Sequence, residues 1–150
     1  MLVRVLLDRA VKINCCQFIN TTNTHKLGGG SGVSVEFFKC TIFGLDPARE
    51  LLRRNKSNVV HGRGESLPFR DQSVDIILCL TALHNFSDPF QGLEEMKRVC
   101  RDRFIITVLK KSVNAERTES ICKAIKTMFK VEKELDDLHD YIYLCRHLDK

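Results

Sequence analysis

Residues 61–80 read His61-Gly62-Arg63-Gly64-Glu65-Ser66-Leu67-Pro68-Phe69-Arg70-Asp71-Gln72-Ser73, then Val74-Asp75-Ile76-Ile77-Leu78-Cys79-Leu80. The second part is a short, almost wholly apolar run rich in β-branched residues, as expected of a central strand covered on both faces. Such strands belong to parallel sheets flanked by helices. Eight residues on, Asp88-Pro89 puts an acid at an N-cap and proline at the first helical position, so a helix is predicted over 89–101. Strand and helix in this order make the first unit of an α/β chain.

Working towards the C-terminus, Arg103-Phe104-Ile105-Ile106-Thr107-Val108-Leu109 is a second strand of the same covered kind. A helix over 114–130 follows, with Ile121, Cys122, Ile125, Met128 and Phe129 at helical spacing on one face. The segments 130–135 and 141–146 then read as two strands close in sequence, an antiparallel pair at the sheet edge. Towards the N-terminus, strands are predicted at 58–61 and 41–45, with a helix over 47–56 begun by Asp46-Pro47. One more strand is expected within 15–27, whereas 2–13 suits helix or strand equally. The alternation runs on without repeats or linkers, so residues 1–150 form a single domain, with 1–27 its poorly defined N-terminal part.

The 150 residues are 43% apolar and carry 24 Lys+Arg against 19 Asp+Glu, a net charge of +5. A chain of this length buries roughly two-thirds of its unfolded surface, which excludes a disordered protein. The positive charge is spread along the chain and falls short of the clustered footprint of a nucleic-acid binder. The longest nearly uncharged run, 74–86, is well below the roughly 20 residues that span a bilayer, and charges interrupt the apolar start too early for a signal peptide. Seven cysteines without C-x-x-C spacing point to reduced thiols in a soluble, cytoplasmic protein, with Cys40, Cys79 and Cys145 as small buried hydrophobes. Adjacent Cys15 and Cys16 with His25 make a poor zinc site, and no metal is expected. His25, His61, His139 and His147 read as surface or capping residues.

Gly28-Gly29-Gly30-Ser31-Gly32 precedes a helix-compatible stretch, 33–39, and lets the backbone turn sharply and come close to a ligand. A dinucleotide loop needs a third glycine where Val33 stands, and a phosphate loop needs a Gly-Lys-Ser/Thr ending, so what remains is G-x-G-x-G at Gly28, Gly30 and Gly32. Asp46 ends the next strand 18 positions after Gly28, where a Rossmann-type sheet places the acid that accepts from ribose hydroxyls. A flexible Gly/Ser loop and a simple N-cap remain the plain alternatives for these two features. Together they favour an adenosine-containing ligand.

The stretch 61–75 resembles the signature G-D-A-E-x-L-P-F-x-D-x-S-F-D of the class I S-adenosylmethionine-dependent methyltransferases, in particular the type 11 group. The likeness continues through Leu80-Thr81-Ala82-Leu83-His84-Asn85, Asp88-Pro89 and Leu93-Glu94-Glu95-Met96-Lys97-Arg98-Val99, and covers roughly 28–110. It implies a three-layer Rossmann-like fold, a mostly parallel seven-stranded sheet with an antiparallel edge strand near the C-terminus. It also implies S-adenosylmethionine as cofactor. Gly28, Gly30 and Gly32 would wrap its methionine and ribose, Asp46 would take the ribose diol, Gly64 and Glu65 would lie along the adenine, and Leu80 with Thr81 would line the methyl-donor side.

Two positions depart from the family. Lys26 stands where an acid meets the cofactor's ammonium, and Arg63 stands where an aspartate accepts from the adenine amine, which guanidinium cannot do. These departures motivate the alternative of a catalytically inactive binding or scaffolding subunit. His84 either touches substrate, acts as a base, or packs under the loop after strand four; no catalytic residue is assigned. The methyl acceptor is expected to be a small molecule, with RNA or protein left open. With little chain before the first expected strand the site should be open, to be closed by a homodimer or a partner subunit.

Overall fold

The computed structural model describes residues 15–19, 41–47, 49, 58–110 and 114–148. Its strands are β1 (Cys15–Ile19), β2 (Thr41–Asp46), β3 (Asn58–His61), β4 (Val74–Leu80), β5 (Cys100–Leu109), β6 (Lys130–Asp136) and β7 (Asp140–Arg146). Two helices, α1 (Pro89–Val99) and α2 (Ala115–Met128), and a 3-10 turn, Leu83–Asn85, complete the described elements. The strands form one sheet in the order β3-β2-β1-β4-β5-β7-β6. Neighbours from β3 to β5 are parallel, and β7 is antiparallel to both β5 and β6.

The C-terminal strands form the expected antiparallel pair at the sheet edge, but the strand that runs against the rest is not the edge strand that the resemblance implied. β6 takes the edge, and β7 lies inside, between β5 and β6. Composition explains the exchange. β7 buries Ile142, Tyr143 and Cys145, whereas β6 is charged and exposed along most of its length, as edge strands that resist further pairing usually are.

β4 has the burial expected of a strand covered on both faces: Ile77, Leu78 and Cys79 are all closed off from solvent. α1 joins it to its parallel neighbour β5. Asp88 caps the helix, its Oδ1 accepting from the backbone N–H of Phe90 at 2.9 Å and of Gln91 at 3.0 Å. Leu93, Met96 and Val99 form the apolar stripe that α1 lays on the sheet. The helix stops before residue 101 because Cys100 is already a strand residue, paired with Val74. α2 likewise ends at Met128, where Phe129 leaves the helix and meets Phe104 edge-on at 4.6 Å. The strand sought within 15–27 is β1; the helices expected at 33–39 and 47–56, and the segment 2–13, lie outside the described residues.

The loop into β4 is held from α1. Arg98 donates to the carbonyls of Leu67 (3.0 Å) and Phe69 (2.9 Å) and to Asp71, while Glu95 accepts from the N–H of Leu67 at 2.8 Å and pairs with Arg98 at 2.7 Å. The guanidinium holds the Glu95 carboxyl below its ordinary range. One ion pair on a helix thus carries the backbone of Leu67-Pro68-Phe69, which makes this irregular loop a fixed object.

Candidate functional site

The sheet order dictates where a ligand can sit. β1 pairs with β2 on one side and with β4 on the other, so connections leave it in opposite directions and open a crevice beyond its carboxyl end. Ile19, its last residue, is level with both Leu45 and Cys79. Asp46 and Leu80 therefore stand one step beyond, flanking the crevice two strand spacings apart, about 10 Å. Asp46 is 9% exposed, with its carbonyl taking the N–H of Gly62 at 3.3 Å. The structure thus brings together Asp46 and Leu80; Gly28, Gly30, Gly32 and Lys26 lie outside the described residues.

Gly64 and Glu65 occupy the turn 63–66, closed by the Ser66 N–H on the Arg63 carbonyl at 3.2 Å. Gly64 is buried against the ring of Phe86: a Cβ there would lie 2.1 Å from Phe86 Cζ, and one at Gly92 2.5 Å from Cδ2 of the same ring. The two glycines make the slot that Phe86 fills. The Glu65 carboxylate accepts from the N–H of Ser87 at 2.7 Å, tying the turn to the loop after β4. Both residues thus have packing work in the chain itself.

The bend after β4 was not legible in advance. Thr81 has φ of 48°, the left-handed region that a β-branched residue rarely enters, and such strain gathers at functional sites. It is held by its N–H, which reaches both the hydroxyl (2.7 Å) and the carbonyl (3.2 Å) of Thr107. The only sequence signal was a hydroxyl interrupting the apolar run of β5.

Beyond the bend, the 3-10 turn carries His84. The residue is half-buried, and its Nδ1 is buried with no hydrogen-bond partner among the described residues. Burial pulls its pKa below the ordinary value; Asp140 opposes that shift and Arg117 adds to it. Asp140 opens β7 level with Leu109, at the carboxyl end of β5, and its Oδ1 is likewise buried and unpartnered. Burial raises its pKa. Arg117 of α2 donates to the carbonyl of Phe86. It also lines an open crevice of about 510 Å³ between the starts of α1 and α2, with Ser87, Asp88, Phe90 and Ser120.

A second crevice of about 510 Å³, between Asp71, Gln72 and His147, lies at the amino end of β4, away from Asp46 and Leu80. His147 is half-buried in a capping place: its Nε2 lies 2.7 Å from the carbonyl of Cys100, the residue that ends α1, and its ring packs edge-on against Phe104 at 5.0 Å. His61 is exposed, with Nε2 3.0 Å from the Pro47 carbonyl. Cys79 and Cys145 are buried free thiols, as read from the sequence; Cys40 lies outside the described residues. No group of three or more His, Cys, Asp or Glu among the described residues could hold a metal. No helix among them is long and apolar enough to cross a membrane.

Comparison with known proteins bears on the family and the fold. The family model described as "Methyltransferase domain" matches residues 25–106. A demethylmenaquinone methyltransferase of Corynebacterium kroppenstedtii is 29% identical over 134 residues, 81% of this chain and 58% of that protein. The methyltransferase YcgJ of Bacillus subtilis is 33% identical over 95 residues, 53% of this chain and 38% of its own. The chain thus spans less than two thirds of these relatives. Among solved structures, a SAM-dependent methyltransferase from Aquifex aeolicus superposes with a TM-score of 0.73 at 16% identity, covering 97% of this chain and 89% of that one. The protein PH0226 from Pyrococcus horikoshii gives 0.75 at 14% identity, covering 98% and 88%. At these identities the likeness shows the fold, a Rossmann-like α/β sheet.

Proposed function

Because the chain belongs to the methyltransferase-domain family, we propose that it transfers a methyl group from S-adenosylmethionine to a small-molecule acceptor at the carboxyl ends of β1, β2 and β4. One observation carries the reading: Asp46 and Leu80 flank the end of β1 at the switch point of a sheet whose sequence bears the family signature. The described residues suit an adenosyl sulfonium. A largely buried carboxylate at the end of β2 is an acceptor for a ribose diol, and Leu80 offers an apolar flank beside the reacting end. Gly28, Gly30 and Gly32 would wrap the methionine and ribose. Gly64 and Glu65 would form the adenine wall, with Phe86 as its backing.

When bound, the sulfonium supplies an activated methyl group. What the chain adds is proximity and in-line orientation, which account for most of the rate in such transfers. Thr81, pinned by Thr107, fixes the path of the backbone where the acceptor must approach, and the crevice beside Arg117 gives the acceptor room. The C. kroppenstedtii relative, named for a quinone substrate, supports a small organic acceptor over RNA or protein. We take the three-layer arrangement, a cytoplasmic setting and closure of the open site by a second subunit as parts of the same proposal.

Calorimetric titration with S-adenosylmethionine and with its demethylated product tests it. Binding at micromolar to submillimolar concentration is expected, and no heat at millimolar ligand would sink it. Asp46→Asn keeps the shape. Each charge-assisted bond to the diol is worth about 1.5–3 kcal/mol, so affinity should fall more than tenfold while the circular dichroism spectrum stays unchanged.

A further inference from the structure

Arg117, in the first turn of α2, is half-buried, and no carboxylate among the described residues forms an ion pair with it. We propose that it holds a carboxylate of the methyl acceptor in the crevice between the starts of α1 and α2, and that the acceptor is therefore an apolar acid carrying a single anionic group. The inference rests on the methyltransferase reading and adds the substrate class to it.

The two helices bring this crevice to the reacting end. α1 follows β4 and α2 follows β5, so both start beyond the carboxyl ends of these parallel strands, on the side where Leu80 flanks the end of β1. Their starts enclose the crevice of about 510 Å³, and Arg117 lines it. A guanidinium is donor-only and always charged. The carbonyl of Phe86 accepts from its Nη2, whereas Nε is buried and has no partner among the described residues. One carbonyl does not neutralise a half-buried cation, and a buried donor without an acceptor carries its desolvation penalty in full. The group that answers both demands is a planar anion able to meet the fork of N–H groups, and a carboxylate is such a group.

The walls decide what the anion is attached to. Phe90, in the first turn of α1, is 47% exposed and gives the crevice an aromatic side against which an apolar body can lie. Ser87 and Ser120 add hydroxyl donors. Two acids line the crevice as well, Asp88 and Glu116. Asp88 is engaged as the cap of α1, its Oδ1 accepting from the N–H of Phe90 and of Gln91, and Asn114 caps α2, accepting from the N–H of Arg117 at 2.9 Å. The helix starts are thus served by their own caps, and the anion answers to the side chain of Arg117. The acids set the size of its charge: they repel a doubly charged phosphate more strongly than a single carboxylate.

Benzoate, benzamide and benzylamine share a ring and differ in charge, so they are the probes, titrated into the wild type with nitrogen-15 detection of backbone amides and of arginine Nε–H. Benzoate should shift the Nε–H of Arg117 and the amide of Phe90, and bind at least tenfold tighter than either of the others. Arg117→Met should abolish that preference. Because Arg117 also holds the Phe86 carbonyl, Ser120→Glu serves where that variant does not fold: it adds an anion at an exposed position of the crevice and should weaken benzoate several-fold. Equal or tighter binding of benzamide or benzylamine overturns the proposal, as does benzoate that fails to bind at tens of millimolar or binds undiminished in either variant. Calorimetry with S-adenosylmethionine separates the two readings. Donor heat with no benzoate site sinks the acceptor class alone, whereas a benzoate site without donor heat sinks the methyltransferase reading and the acceptor role with it.

Discussion

At the scale of single residues, the region around the β4 carboxyl end is governed by one aromatic ring. Phe86 fills a slot whose walls are the missing side chains of Gly64 and Gly92, with a Cβ at Gly64 reaching 2.1 Å from the ring. Gly64→Ala should therefore destabilise the protein by about 1–3 kcal/mol, the usual range for overpacking a closed site, read as a fall in the urea midpoint. Phe86→Leu in the same chain should recover much of the loss. The sequence placed Gly64 in a cofactor loop because the motif does; it held no sign of Phe86, whose contact with Gly64 spans 22 residues. The place of Asp46 at the end of β2 was legible because an apolar run precedes it and Pro47 follows it. That Asp140 stands level with Leu109 follows only from the pairing of β5 with β7, and no local pattern announces that.

At the scale of elements, α1 is both a packing helix and a clamp. Arg98→Ala removes the donors that serve the carbonyls of Leu67 and Phe69, and should lower stability by about 1–3 kcal/mol at neutral pH. The pH dependence has a definite sign. Glu95 has a lower pKa folded than unfolded, so its contribution is present above its ordinary value of 4.5 and is lost as pH falls through the lower folded one. The gap between wild type and Arg98→Ala should accordingly narrow in acid, in urea titrations at pH 7 and near pH 3. Apolar runs and the Asp88-Pro89 cap sufficed to read the described strands from β2 onwards, and α1 and α2, to within a few residues. The ends of α1 and α2 were misjudged because the strand that follows each begins at once, and helical periodicity does not report where sheet pairing takes over.

At the scale of the whole molecule, the core is closed enough to silence its thiols. Burial pushes Cys79, Cys100 and Cys145 up to about 12 from an ordinary 9.0. Iodoacetamide on the folded protein at pH 8 should spare all three by mass spectrometry, and label them after unfolding. Since the unfolded chain loses these protons first, stability should be full below pH 9 and decline between 9 and 12, seen as a falling denaturation midpoint.

The place of β7 inside the sheet has a consequence for synthesis. Translation delivers β5 some thirty residues before β7, the strand that must cover its open side. Until residues 140–146 emerge from the ribosome, Phe104-Ile105-Ile106-Thr107-Val108 presents a bare, apolar edge of the kind that recruits other chains. A stop codon after Asp136 should therefore give insoluble protein recoverable from the pellet, even though every residue flanking the β1 crevice has already been made. A synthetic peptide of residues 137–148 supplied during translation should return part of it to the supernatant.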